Sequence, residues 1–120
     1  MPRVLVVDDE KILRQMITLL LGELKIEVIE AENGRGALEA IKDNAPHLII
    51  SDITMPVMDG FAFLEEIKRN DKTKAIPVII VTSDGKRETR EKIIRMGADD
   101  FVERPFKAED FLPRIKKFIS

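Results

Sequence analysis

Five short strand-like runs limit what this chain can fold into. Each ends at a polar or charged residue and leads into a stretch with helical spacing. The runs are Val4–Val7, Ile26–Ala31, Leu48–Ser51, Pro77–Thr82 and Asp99–Glu103, recurring about every 24 residues over the 120-residue chain. Val4-Leu5-Val6-Val7 and Leu48-Ile49-Ile50 show no alternation, so they read as strands buried on both faces. Between the runs the apolar period becomes helical. The first helix carries Ile12, Leu13, Met16, Ile17, Leu20 and Leu24; the second Ala37, Leu38 and Ile41; the third Phe61, Leu64 and Ile67. The fourth, about Lys86 to Met96, aligns only Thr89, Ile93 and Met96. The fifth starts near Lys107 and carries Phe111, Leu112, Ile115, Phe118 and Ile119, with Pro113 expected to kink or weaken it. Asn33-Gly34 and Asn44-Ala45-Pro46 punctuate the chain, Asp59 is expected to cap the third helix, and Gly97 to close the fourth. The implied class is α/β: a five-stranded parallel sheet with five helices on both faces. Two strand orders serve five such units, and the flavodoxin-like order 2-1-3-4-5 places strands one and three side by side.

The length fits one domain spanning residues 1–120. Twenty basic and 22 acidic side chains, net −2, argue against direct nucleic-acid binding. The charge is uneven: residues 1–83 hold 10 basic and 14 acidic groups (net −4), residues 84–120 hold 10 and 8 (net +2). There is no cysteine, hence no disulfide framework or thiolate metal site. No apolar stretch is long enough for a membrane span and no signal-peptide pattern follows Met1-Pro2-Arg3, so a cytoplasmic protein is expected. The sequence stops at Ser120 without a linker or a DNA-binding helix pair, so it is expected to act through protein contacts or as a relay.

With strands one and three adjacent, Asp8 and Asp9 end one strand and Asp52 the other, and three carboxylates share a crevice although 43 positions separate Asp9 from Asp52. Clustered carboxylates raise one another's pKa unless a cation is present. Mg²⁺ suits a shallow site with few carboxylates, because it keeps several waters and recruits phosphate oxygens. Thr82 brings a hydroxyl to the same edge, and Arg104 brings a cation. Acids, hydroxyl and cation together describe a site for a phosphoryl group. Neither G-x-x-x-x-G-K-S/T nor G-x-G-x-x-G is present, so no bound nucleotide is expected to hold that group. A carboxylate in such a site can itself be the nucleophile, giving an aspartyl phosphate. Plainer readings stand beside these. Asp8 and Asp9 can serve as helix caps, Thr82 as an ordinary strand end, and Phe101 as core. His47, the sole histidine, is expected on the surface away from the crevice. The charged run Lys86–Arg95 can be a solvated face, although a helix with few buried residues is also easily moved.

The pieces Val6-Val7-Asp8-Asp9-Glu10, Ser51-Asp52, Met55-Pro56-Val57-Met58-Asp59-Gly60, Val81-Thr82-Ser83, Gly97-Ala98-Asp99-Asp100-Phe101 and Pro105-Phe106 span nearly the whole chain. In this order and spacing they resemble the response-regulator receiver domains of two-component signalling, similar to single-domain chemotaxis or phosphorelay regulators. The resemblance implies that Asp52 is the phosphoacceptor. It implies that Asp8, Asp9, Asp52 and the backbone carbonyl of Thr54 hold Mg²⁺, with Asp9 a direct ligand. Thr82 and Phe101 would be the switch residues, and the bond before Pro105 would be cis. The implied phosphodonor is a sensor histidine kinase or a histidine phosphotransfer protein. The implied output is a downstream protein that reads the face of helix four, strand five and helix five; a monomer or weak dimer is expected. One departure stands out: the family usually has lysine where this chain has Arg104, which keeps the charge but is longer, planar and able to bind phosphate in a fork. Two further functions follow from the same residues: a receiver-like binding module that needs no phosphate, motivated by Arg104, and a Mg²⁺-dependent aspartyl phosphatase. The second normally needs an acid two residues beyond the nucleophile, where Thr54 stands, so the chain is not expected to be an enzyme.

Overall fold

A computed structural model of the chain describes residues 1–119. The elements are β1 (Arg3–Val7), α1 (Lys11–Gly22), β2 (Glu27–Ala31), α2 (Gly34–Asp43), β3 (Leu48–Ser51), α3 (Gly60–Arg69), β4 (Val78–Thr82), α4 (Arg87–Arg95), β5 (Asp100–Glu103) and α5 (Ala108–Ile119). The strands form one parallel sheet in the order β2-β1-β3-β4-β5. Strand residues alternate between two cores. Leu5, Val7, Ile49, Val78, Ile80 and Phe101 face α2, α3 and α4, through Ala37, Phe63, Leu64, Ile67 and Ile93. Val4, Val6, Leu48, Ile50, Ile79, Val81 and Val102 face α1 and α5, through Leu13, Ile17, Leu21, Phe111 and Ile115. With a helix layer on each face, the inner strands β1, β3 and β4 have no solvated side, which is why their runs lack alternation.

The apolar stripe of α1 differs from its expected position. Leu13, Ile17 and Leu21 are buried, whereas Ile12 is 82% and Met16 43% exposed, and Leu19 is exposed too. The helix is apolar over more than one face, and a sheet covers only the line i, i+4, i+8. Three strands begin one residue later than the sequence suggests, at Glu27, Val78 and Asp100. The flanking residues still bond along the ladder: Pro77 O accepts from Ile49 N at 3.0 Å, and Asp99 N donates to Val78 O at 2.8 Å. The fifth helix is continuous across the exposed Pro113 and begins at the Lys107 carbonyl, which accepts from Asp110 N and Phe111 N. Gly97 closes the fourth helix with φ +105°, and its N–H donates to Ile94 O at 3.0 Å.

Candidate functional site

The register places the site. Val7 pairs with Ser51, so Asp8 and Asp52 leave the sheet level with each other, and Asp52 N donates to Val7 O at 3.0 Å. Thr82 pairs with Glu103, and Arg104 N donates to Thr82 O at 2.9 Å, which brings Arg104 to the same rim. The Arg104–Pro105 bond is cis.

Asp8 and Asp52 are buried at 3% and 4% exposure, and Asp9 is exposed; oxygens from all three carboxylates lie within 4.8 Å of one another. Asp8 Oδ1 accepts from Glu10 N at 2.8 Å. Asp52 Oδ1 accepts from Ile53 N at 2.6 Å, and Oδ2 accepts from Arg104 Nη2 at 3.0 Å. The other arm of Arg104, Nη1, lies 3.9 Å from Glu10 Oε1, and its buried Nε has no partner among the described residues. Burial pushes the Asp8 carboxyl up to about 6; the Glu10 amide opposes this, the Asp52 charge adds to it, and Arg104 opposes it more weakly. Burial also raises Asp52, against the Ile53 amide and the Arg104 guanidinium. One guanidinium thus faces three converging carboxylates. An oxygen-only donor set with this excess of negative charge fits a hard divalent cation.

The segment after Asp52 is held close by glycine. A Cβ on Gly60 would sit 2.2 Å from Asp52 O, and Gly60 N donates to Ile53 O at 2.7 Å. Asp59 caps α3, accepting from Ala62 N at 2.9 Å. Met58 N donates to Pro56 O at 2.7 Å across Val57, whose φ is +69°. Thr54 is exposed in this loop, and its backbone amide slightly opposes the upward shift of the Asp52 carboxyl.

Thr82 is buried, but its Oγ1 accepts from Asp84 N at 3.2 Å and makes no bond to Asp52 among the described residues. Asp84 Oδ2 in turn accepts from Thr89 Oγ1 of α4 at 2.9 Å. Phe101 is packed in the core with α4, and the Arg90 guanidinium lies 5.7 Å from its ring. His47 is exposed at the opposite end of the sheet, where Nδ1 accepts from Arg3 N at 3.0 Å. The structure therefore gathers Asp8, Asp9, Asp52 and Arg104, and leaves Thr82 and Phe101 engaged elsewhere. Two neighbours escaped the sequence reading: Glu10, beside Asp8 and Arg104, and Arg14, which donates to the Asp8 carbonyl. Glu10 was visible only as the third acid of a triplet. Arg14 was visible only as a cation on a helix without acids.

Among the described residues no helix is long and apolar enough to cross a membrane. A family model described as "Response regulator receiver domain" matches residues 4–116. The chain is 40% identical over 119 residues to the chemotaxis protein CheY of Bacillus subtilis, covering 98% of each. It is 34% identical over 114 residues to the phosphate regulon transcriptional regulatory protein PhoB of Escherichia coli, covering 95% of this chain and 50% of PhoB, so it spans about half of that relative's length. A chemotaxis response regulator of Vibrio cholerae superposes with a TM-score of 0.91 at 32% identity, covering 99% of both chains. A putative response regulator from Chloroflexus aurantiacus gives 0.93 at 28% identity, covering 98% of both. By sequence and by fold, the chain belongs to the response-regulator receiver-domain family of two-component signalling.

Proposed function

We propose that this receiver takes a phosphoryl group onto Asp52 from a phosphohistidine of a sensor kinase or phosphotransfer protein. The observation that carries the reading is the convergence of the Asp8, Asp9 and Asp52 carboxylates within 4.8 Å, with Arg104 at 3.0 Å from Asp52. A carboxylate oxygen of Asp52 attacks phosphorus, the P–N bond breaks, and the imidazole leaves with the bonding pair. Arg104 favours the ionised form of Asp52 against the effect of burial, and offers the incoming phosphoryl oxygens a fork of donors. Asp8, Asp9, Asp52 and the Thr54 carbonyl are the residues that would hold Mg²⁺, which supplies charge neutralisation for in-line transfer. The donor has a seat beside the acceptor: a recess lined by Glu10, Leu13, Met16, Arg104, Pro105 and Phe106. The exposed Ile12, Met16 and Leu19 continue it along α1 as an apolar stripe at i, i+4, i+7, the pattern a partner helix packs against.

Phosphorylation then shifts a pre-existing equilibrium. Thr82 leaves the Asp84 amide for a phosphoryl oxygen, Phe101 repositions, and the face of α4, β5 and α5 changes for a downstream protein. Incubation with acetyl phosphate and Mg²⁺, followed by intact mass and peptide mapping, should show one phosphoryl group on Asp52. The reading fails if no adduct forms there while a known receiver is labelled in parallel. A second reading, signalling without phosphate, draws on Arg104, which already bonds Asp52 and can hold the crevice in one state unaided. It replaces the first if Asp52→Asn leaves partner binding and its regulation unchanged.

A further inference from the structure

Within the acid cluster, Asp9 stands apart. Asp8 is held by the Glu10 amide, and Asp52 by the Ile53 amide and Arg104, whereas the exposed Asp9 carboxylate has no hydrogen-bond donor among the described residues. Its place relative to the other two is therefore set by the backbone that carries it, the Asp8–Asp9 peptide. Asp8 is tied on both sides. Its N–H donates to Ala31 O of β2 at 3.0 Å. Its carbonyl, which lies in the Asp8–Asp9 peptide plane, accepts from Arg14 Nη1. Arg14 sits one turn into α1 with a side chain only 14% exposed, and its Nε donates to Glu30 Oε1 of β2 at 3.1 Å. No acid occurs within α1, so the guanidinium is anchored from the neighbouring strand.

We infer that Arg14, anchored by Glu30, is a positioning residue that sets the Asp8–Asp9 peptide plane and with it the spacing of the Mg²⁺-binding carboxylates. The inference rests on the metal role proposed above. The guanidinium presents its donors in a rigid plane, so its two contacts fix its orientation; a lysine ammonium cannot reproduce both. Residues that orient ligands from outside the coordination shell commonly change metal affinity by about ten- to a hundredfold. Glu30 also keeps the Arg14 cation engaged away from the carboxylates. Once released, Arg14 can swing onto them and compete with the metal. Loss of either residue therefore weakens Mg²⁺ binding, and the two losses are not additive.

Amide NMR shifts during Mg²⁺ titration test this on the full chain, with Arg14→Gln, Arg14→Lys, Glu30→Gln and the Arg14→Gln/Glu30→Gln pair. The dissociation constant should rise about tenfold in Arg14→Gln. Lysine should not restore it, Glu30→Gln should raise it by less, and the pair should match Arg14→Gln alone. A merely structural role would lower the thermal midpoint without Mg²⁺ and leave the Mg²⁺ constant within about twofold, below the range expected of a ligand-orienting residue; that result overturns the assignment. If Arg14→Gln does not fold, Glu30→Gln decides alone, and unchanged affinity in it is equally fatal. Failure of the wild-type chain to bind Mg²⁺ would remove the metal reading itself. A wild-type chain that binds, beside variants that bind equally well, would remove only the role of Arg14.

Discussion

Asp8 is a carboxylate in a place that disfavours its charge. Burial holds its pKa at about 6, so between the ordinary carboxylate range and that value the metal-free fold binds more protons than the unfolded chain. Stability of the metal-free protein should therefore fall as pH rises through that window. Mg²⁺ should restore it near pH 7.5 and do little near pH 5, where protons occupy Asp8. Urea midpoints at the two pH values, with Mg²⁺ or with chelator, check the sign. Asp8→Asn keeps the oxygen that accepts from Glu10 N and removes the charge. It should raise metal-free stability near pH 7.5 by about 1–2 kcal/mol while weakening Mg²⁺ binding. Val57 holds a second local tension: a β-branched residue at φ +69°, 75% exposed, with little packing to repay the strain. Val57→Gly should stabilise by about 1 kcal/mol by thermal or urea denaturation. At this scale the acids were legible in the sequence because apolar runs end on them. The pairing of Arg14 was not, because Glu30 lies 16 residues away on another element.

Among the elements, α4 is the least anchored. Ile93 is its only buried residue among those described, against three in α1 and two in α5. Its first turn is tied instead through Thr89 to Asp84, whose backbone amide donates to Thr82. Hydrogen exchange should find α4 amides less protected than those of α1 or α5. Ile93→Ala should cost about 2–4 kcal/mol by denaturant unfolding and expose α4 first. Equal protection of α1 and α4 in the unphosphorylated protein would contradict this ranking. The thin anchoring was legible, since almost no apolar residue breaks the charged run Lys86–Arg95. The buried face of α1 was not: with Ile12, Leu13, Met16, Ile17, Leu19, Leu20 and Leu21 available, periodicity alone does not select the line that meets the sheet. Of its unused flank, Met16 lines the recess that Arg104 borders, and Ile12 and Leu19 are exposed on the same helix.

For the whole molecule, the sheet both builds the site and divides the core. Its order places β1 beside β3, which converts acids far apart in sequence into one cluster. Phe101 and Val102, adjacent in β5, enter opposite cores, so a change at this strand is felt on both faces. Thr82 stands between the crevice and the loop tied to α4, so the proposed phosphorylation would have a short physical route outward. The strand order could be read in advance only because alternating β and α segments leave few topologies. The present engagement of Thr82 with Asp84 required the three-dimensional structure. Amide NMR of the full chain with Mg²⁺ and then beryllofluoride tests the central claim most directly. Mg²⁺ should shift Asp8, Asp9 and Asp52. Beryllofluoride should then shift Thr82, Asp84, Thr89 and Phe101 together, and Asp52→Asn should abolish that second step. Beryllofluoride shifts that persist in Asp52→Asn, or none in the wild-type chain with Mg²⁺ bound, would contradict Asp52 as the acceptor that drives the switch.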